Sequence, residues 1–180
     1  HDFLWRTTRC LPERGRIGVF NRSHYEEVLV VRVHPTFLEN QHIPGIRASK
    51  SLWKSRCESI VDHERHLARN GYMIVKFWLN VSKQEQRLRF LSRLEESKKY
   101  WKFSEADVGE RENWDEYMKA YEDALRATSR PWAPWYAIPA DNKDYMRLTV
   151  ADLMERNLKR LELAYPEPVI ASNKLAQVRA

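Results

Sequence analysis

Residues 15–34 run Gly-Arg-Ile-Gly-Val-Phe-Asn-Arg-Ser-His-Tyr-Glu-Glu-Val-Leu-Val-Val-Arg-Val-His. Ile17 to Phe20 form a short apolar run behind a glycine and stop abruptly on polar side chains. Such a run suits a strand of a parallel sheet buried on both faces. In sheets of that kind, side chains just past a strand's carboxyl end face the ligand crevice. Asn21, Arg22, Ser23 and His24 hold that place. Beyond them, residues 24–33 are ambiguous, with Val28, Leu29, Val30, Val31 and Val33 favouring a strand by composition.

Working outward, residues 2–10 read as a helix, which Pro12 and Gly15 separate from the first strand. Pro35, Pro44 and Gly45 mark an irregular stretch over 34–48. Leu52, Trp53, Cys57, Ile60 and Leu67 recur at helical spacing and predict a long helix over 49–69, ended by Asn70-Gly71. A second buried strand comes next, Tyr72 to Leu79. Ser82 then caps a helix over 82–95, with Glu85 completing a capping box. Leu88, Leu91 and Leu94 share one side of it, and Arg89 and Arg93 another. Residues 96–112 are polar and basic and read as a mobile lid or loop. Trp114, Tyr117, Met118, Tyr121 and Leu125 line a helix over 113–127. A third strand, Trp135 to Ile138, precedes a last helix from about 143 to 163 with Leu148, Met154, Leu158 and Leu161 inward, then a tail over 164–180. Strands alternating with helices predict an α/β fold with a parallel sheet flanked by helices.

The 180 residues suffice for one domain, or a domain with a small lid. With 43% hydrophobic and 31% charged residues, a folded protein with an ionic surface is expected. No apolar run reaches the eighteen residues a membrane span needs, and Arg6, Arg9 and Glu13 interrupt any leader-like core. Cys10 and Cys57 are isolated and do not suggest a disulfide framework or a zinc site. They read as free, mostly buried thiols, which fits the cytoplasm. His63 and His66 flank Glu64 but complete no metal motif. The net charge of +6 is unevenly spread: residues 83–102 hold seven Lys or Arg against three Glu, and 104–123 hold eight acids against two bases. A focused basic patch concentrates polyanions, and polyphosphate, nucleotide and RNA all answer to that description.

Several side chains carry two readings. Asn21 ends a strand or caps the next helix, or belongs to a site. Arg22 is a surface residue, or a planar fork on phosphate oxygens. His24 and Tyr25 orient the loop or stack on a partner, or serve in core and cap. Lys76, inside an apolar strand, snorkels at the sheet rim, or serves a site, since an isolated buried charge is costly. Arg87, Arg89, Arg93, Lys98, Lys99 and Lys102 form a solvated face or a phosphate-binding lid. Asp141 caps the helix beginning near 143, or contacts nucleotide or phosphate.

Three separated motifs carry a family resemblance: Asn21-Arg22-Ser23-His24-Tyr25; Lys76-Phe77-Trp78-Leu79-Asn80 leading to Arg89-Phe90-Leu91-Ser92-Arg93-Leu94 and Lys99-Tyr100-Trp101-Lys102-Phe103-Ser104; and Trp135-Tyr136-Ala137-Ile138-Pro139-Ala140-Asp141-Asn142-Lys143. In this order they resemble the polyphosphate kinase 2 family, which are P-loop kinases, over roughly residues 1–163. The resemblance implies a P-loop kinase-like domain over 1–163 with a basic helical lid at about 82–112, and a short helix rather than a strand after Ser23. It implies catalytic roles for Arg22 and for lid arginines, Arg89 first and Arg87 or Arg93 next. Lys76, Lys98, Lys99, Lys102, Asp141 and Lys143 are then substrate-binding. Asn21 stands where many relatives carry Asp, and it implies a weak, water-mediated metal contact to Mg2+ or Mn2+. The family's Gly-x-Asp-x-x-Gly-Lys-Gly-type loop is missing, so the segment bearing it is expected upstream of His1, or the chain is a fragment.

The resemblance thus implies a reversible, polyphosphate-dependent kinase of nucleoside mono- or diphosphates such as AMP and ADP. The expected partners are polyphosphate and nucleotide, without specific nucleic acid or membrane. Seven tryptophans are more than a three-stranded sheet readily buries, and tryptophan is enriched in interfaces. A homo-oligomer, dimer or tetramer, is expected, with helices 49–69 and 113–127 as contact surfaces. Two other classes remain: a non-catalytic polyanion- or RNA-binding module, stacking bases on Tyr100, Trp101 and Phe103, and a regulatory subunit that lost the phosphate loop.

Overall fold

The computed structural model describes residues 1–165. They fall into two compact units, His1–Asp141 and the stretch from Asn142 onward. From residue 166 the expected tail lies outside the described residues.

The first unit opens with α1 (Trp5–Thr8) and α2 (Val30–Val33), with a 3₁₀ segment, His24–Val28, between them and another, Pro35–Gln41, after them. The helical outcome over 24–33 starts from Ser23, whose hydroxyl accepts the Tyr25 N–H and turns the chain. Buried Tyr25, Val28, Leu29 and Val31 then face inward. Helix α3 (Lys50–Arg69) starts on a Ser49 cap and ends before Gly71, whose φ of +85° suits glycine. Next come β1 (Lys76–Asn80), α4 (Lys83–Glu95), α5 (Glu105–Glu110), α6 (Trp114–Thr128) and β2 (Trp135–Pro139). The two strands pair in parallel, Lys76 opposite Trp135 and Asn80 opposite Pro139. The core joins Tyr25, Val28 and Leu29 to Cys57 and Ile60 of α3 and to Ala120 and Ala124 of α6. The α6 face expected from its large residues is only half-buried, and the stripe that packs closest is Ala120, Ala124 and Thr128. Small residues let the two helix backbones approach.

The second unit contains α7 (Lys143–Lys159), capped by Asn142, whose Oδ1 accepts the Asp144 and Tyr145 N–H groups.

Several expectations are corrected. Ile17–Phe20 pairs with no strand among the described residues. A strand needs a neighbouring backbone to satisfy its N–H and C=O groups; here none lies alongside, and Ile17 and Val19 stay 70% and 84% exposed. The described sheet therefore has two strands, not three. The capping box at Ser82 is half made: its hydroxyl accepts the Glu85 N–H, but the Glu85 carboxylate turns to Arg89. Leu88, Leu91 and Leu94 of α4 are exposed, as are Leu148, Met154 and Leu161. Residues 96–112 are a chain of short helical turns around α5 rather than an open loop. Cys57 is buried, but Cys10 is exposed. No helix among the described residues is long and apolar enough to cross a membrane.

The Ala120–Ala124 stripe yields a direct test. Ala124→Leu adds a branched side chain to a position only 1% exposed, and overpacking of this kind costs roughly 1–3 kcal/mol. Urea unfolding should show the midpoint falling accordingly.

Candidate active site

Parallel pairing gives the small sheet two chemically different ends. At its amino end sits a buried charge network. Lys76, the first residue of β1, donates to Glu64 Oε2 at 2.6 Å, to the Tyr25 hydroxyl at 2.8 Å and to the Thr128 carbonyl at 3.1 Å. Tyr25 donates to Glu64 Oε1 at 2.8 Å, and the Trp135 indole N–H donates to Thr128 Oγ1. The rings of Tyr25 and Trp135 flank the ammonium at 5.1 and 5.2 Å. Burial pushes the Lys76 ammonium below its usual range and the Tyr25 hydroxyl above its own, the latter helped by the Glu64 charge. His24 Nε2 is buried without a hydrogen-bond partner among the described residues, 3.9 Å from Glu64 Oε1.

Lys76 thus does not snorkel; its three donors are spent inside. Four residue steps along β1 take the chain from Lys76 to Asn80, about 13 Å at the rise of a strand, so Lys76 stands at the opposite end of the sheet from the strands' carboxyl ends. Glu64 and Thr128 escape a motif-based reading of the sequence. Glu64 is nonetheless legible there: it falls on the apolar stripe of α3 between Ile60 and Leu67, and its charge complements the equally misplaced Lys76.

The carboxyl end is built differently. Asp141, just past β2, accepts the Ser82 N–H at 2.7 Å, tying the end of one strand to the start of α4. That hydrogen bond holds its carboxyl below the usual range. It does not cap α7; Asn142 does. Arg89 donates to Glu85 Oε1 at 2.8 Å and to the carbonyls of Ala140 and Asp141 at 2.6 and 3.2 Å, and so braces the same junction. Arg93 pairs with Asp107 at 3.6 Å. Arg87 is exposed and makes no side-chain hydrogen bond or ion pair among the described residues, which leaves its guanidinium uncommitted. Lys99 pairs with Glu96, and Lys102 lies over the exposed Trp101 ring at 5.0 Å. Lys98 is exposed. Lys143 is exposed on the first turn of α7, in the second unit. The stretch over 96–112 is tied to His34 and to α6 where Glu110 accepts from His34 and Tyr117 at 2.9 and 2.8 Å.

Asn21 and Arg22 are exposed, on the turn between the extended segment and the first 3₁₀ helix. Arg22 has φ +70°, left-handed backbone that costs a non-glycine residue roughly 1–2 kcal/mol. Its guanidinium pairs with Glu26 at 3.3 Å and its charge acts on the hydroxyls of Tyr117 and Tyr121. Thr128 meets Lys76 and Tyr121 stacks on Trp78 at 5.2 Å, so α6 runs antiparallel to β1. Tyr117, a turn earlier on α6, therefore lies towards the carboxyl end, and Arg22 with it. An exposed fork held on strained backbone beside the strand ends, together with the exposed Arg87, suits the recognition of phosphate oxygens.

As for a metal, Asn21 supplies one exposed amide oxygen. No group of three or more His, Cys, Asp or Glu able to hold an ion occurs among the described residues. One amide oxygen fits an ion carried in by phosphates and does not by itself make a cage.

The sequence model of the polyphosphate kinase 2 family matches residues 1–165. The chain is 55% identical to the ADP-polyphosphate phosphotransferase of Rhodopseudomonas palustris over 99% of its length and 63% of that protein's. It is 42% identical to the AMP/ADP-polyphosphate phosphotransferase of Meiothermus ruber, over 97% and 61% respectively. The crystal structure of polyphosphate kinase 2 from Arthrobacter aurescens TC1 superimposes with a TM-score of 0.89 at 38% identity, covering all of this chain and 60% of the other. The chain thus spans about three-fifths of the length of these proteins.

The amino-end network has a measurable cost of disruption. Lys76→Met leaves the 3%-exposed Glu64 carboxylate without its counter-charge, which should destabilise the protein by about 3–5 kcal/mol. Adding Glu64→Leu should recover most of that loss in urea unfolding. Additive losses would show that the two charges do not depend on each other.

Proposed function

The chain belongs to the polyphosphate kinase 2 family, and from that premise we propose that the protein transfers the terminal phosphoryl group of polyphosphate to AMP or ADP, reversibly. A terminal phosphate oxygen of the nucleotide attacks the end phosphorus of polyphosphate. The bridging P–O bond breaks, and polyphosphate leaves one unit shorter. The observation that carries this reading is family membership across residues 1–165, joined to the strained Arg22 turn beside the strand ends.

Phosphoryl transfer is catalysed by positioning and by charge on the transferring group. Arg22 supplies a fixed fork and Arg87 a free one. Arg93, released from Asp107, supplies another. Arg89 keeps a place in the site by bracing the junction of Ala140 and Asp141, so its removal acts on geometry first. Lys98, Lys99 and Lys102 draw polyphosphate to the lid by long-range attraction, and Lys143 and Asp141 contact nucleotide or phosphate. Mg2+ or Mn2+, with Asn21 as the nearby oxygen, would neutralise charge on the phosphates. Lys76 works from within the core, through the residues it holds.

Assembly into a dimer or tetramer fits the tryptophans, none of which is fully buried. Helices α3 and α6 bury their inner faces, so their outer faces are the proposed contacts. The exposed Trp101 under Lys102 favours one rival reading, stacking of single-stranded RNA.

The decisive experiment supplies polyphosphate, magnesium and AMP or ADP to the full-length protein and monitors ADP or ATP. Absence of product with every nucleoside phosphate, alongside tight RNA binding that polyphosphate fails to displace, would favour the rival.

Two variants test the arginine roles. Arg87→Ala should lower kcat by about 100-fold or more, the scale on which losing a transition-state donor acts, with no change in Tm. Arg22→Lys should also lower kcat, because an ammonium cannot reproduce a bidentate fork. Wild-type kinetics for R87A at saturating polyphosphate would remove Arg87 from the transition state.

A further inference from the structure

We propose that Tyr25, Glu64 and Lys76 form a positioning triad that holds the Asn21–Arg22–Ser23 turn in its working shape; the proposal rests on the phosphoryl-transfer reading of Arg22 given above. Arg22 stands at φ +70°. Backbone of that kind persists in a non-glycine residue only where its surroundings over-determine it. Arg22 itself has little to enforce it: its side chain is 80% exposed and its ion pair with Glu26 is local. The constraint comes from downstream. Ser23 accepts the Tyr25 N–H through its hydroxyl and the Glu26 N–H through its carbonyl. Tyr25, three residues beyond Arg22, is locked in the core.

What locks it is unusual for a core tyrosine. Its hydroxyl donates to Glu64 Oε1 at 2.8 Å and accepts from Lys76 at 2.8 Å, so a carboxylate and an ammonium fix one oxygen from two directions. Lys76 and Glu64 are joined at 2.6 Å, and Lys76 also holds the Thr128 carbonyl. The Tyr25 ring meets Trp135 edge-on at 4.7 Å. Segments 24–28, α3, β1, α6 and β2 therefore converge on one phenol. A buried ion pair is a poor source of stability compared with packed apolar groups, so stability gives little reason for charges here. Directional hold gives a better one. Charged partners fix the azimuth and depth of Tyr25, where an apolar pocket would allow it to rock, and any rocking is passed three residues back to the Arg22 fork. The triad lies at the amino end of the sheet, away from the strand ends, so it acts through Arg22 and is not itself catalytic.

Tyr25→Phe in the full-length protein is the test, because it keeps the ring and removes only the clamped oxygen. Two readings are taken. Hydrogen exchange should rise in the amides of residues 21–24 and stay unchanged in α3 and the two strands. In the polyphosphate assay, kcat should fall about tenfold, a modest misplacement on the scale where 1 Å costs about 100-fold. Tyr25→Phe added to Arg22→Ala should cause no further fall, since a residue acting through Arg22 has nothing left to position. Losses that multiply, or unchanged exchange at 21–24, overturn the triad as a positioning device. If wild-type protein yields no nucleotide product while exchange at 21–24 rises in Y25F, the reaction assignment fails and the anchoring of the turn stands.

Discussion

The fold of the first unit depends on the burial of one ammonium. Lys76 enters the core at 8% exposure, and an unpaired charge there would be untenable. The chain meets this demand from four directions: Glu64 neutralises it, Tyr25 and the Thr128 carbonyl accept from it, and two aromatic rings flank it. These partners come from different elements. Satisfying one charge therefore fixes the relative placement of the first 3₁₀ helix, α3, β1, α6 and β2, which two five-residue strands alone would constrain weakly.

That placement divides labour along the sheet. The amino end is buried, and the groups that touch Lys76 directly are paired inside. The carboxyl end is wet, and its polar groups face outward or bridge strand to helix through Asp141, Ser82 and Arg89. Helix α6 connects the ends: Thr128 sits against Lys76, Tyr121 against Trp78, and Tyr117 beyond them at the Glu110 fastening of the lid. A shift of α6 along its axis would be felt both by the buried network and by the lid.

Much of this is legible in the residues. The long helix, the strand beginning at its end, the Ser82 cap and the Trp135 strand arise from periodicity and turn chemistry, which are local. What local pattern does not give is pairing. Ile17, Val19 and Phe20 have strand composition, but a strand is a relation between two backbones, and none lies beside them among the described residues. Leu88, Leu91 and Leu94 recur properly for a buried face and are exposed, because periodicity marks a face without naming what covers it. In the site, the sequence marks the motif residues but not their commitments. Arg89 and Arg87 look alike two positions apart; only the fold shows that one guanidinium is spent on the carbonyls of Ala140 and Asp141 while the other makes no hydrogen bond or ion pair among the described residues.

The same distinction bears on how buried polar residues in a sequence should be interpreted. Rim and site, the two readings open to Lys76 in the sequence, both place its charge near water. The third option, a charge retained in the dry core, becomes readable only when a complementary misfit is sought elsewhere. Glu64 on the apolar stripe of α3 is that misfit, and Tyr25 among the buried valines is the hydroxyl between them. Each residue alone reads as an irregularity in a hydrophobic pattern. Together they account for one another's cost, and Tyr25 lies three residues from the strained turn that carries Arg22. Strain on the exposed side and pairing on the buried side are then two ends of one short lever, and the core chemistry sets where the surface fork points.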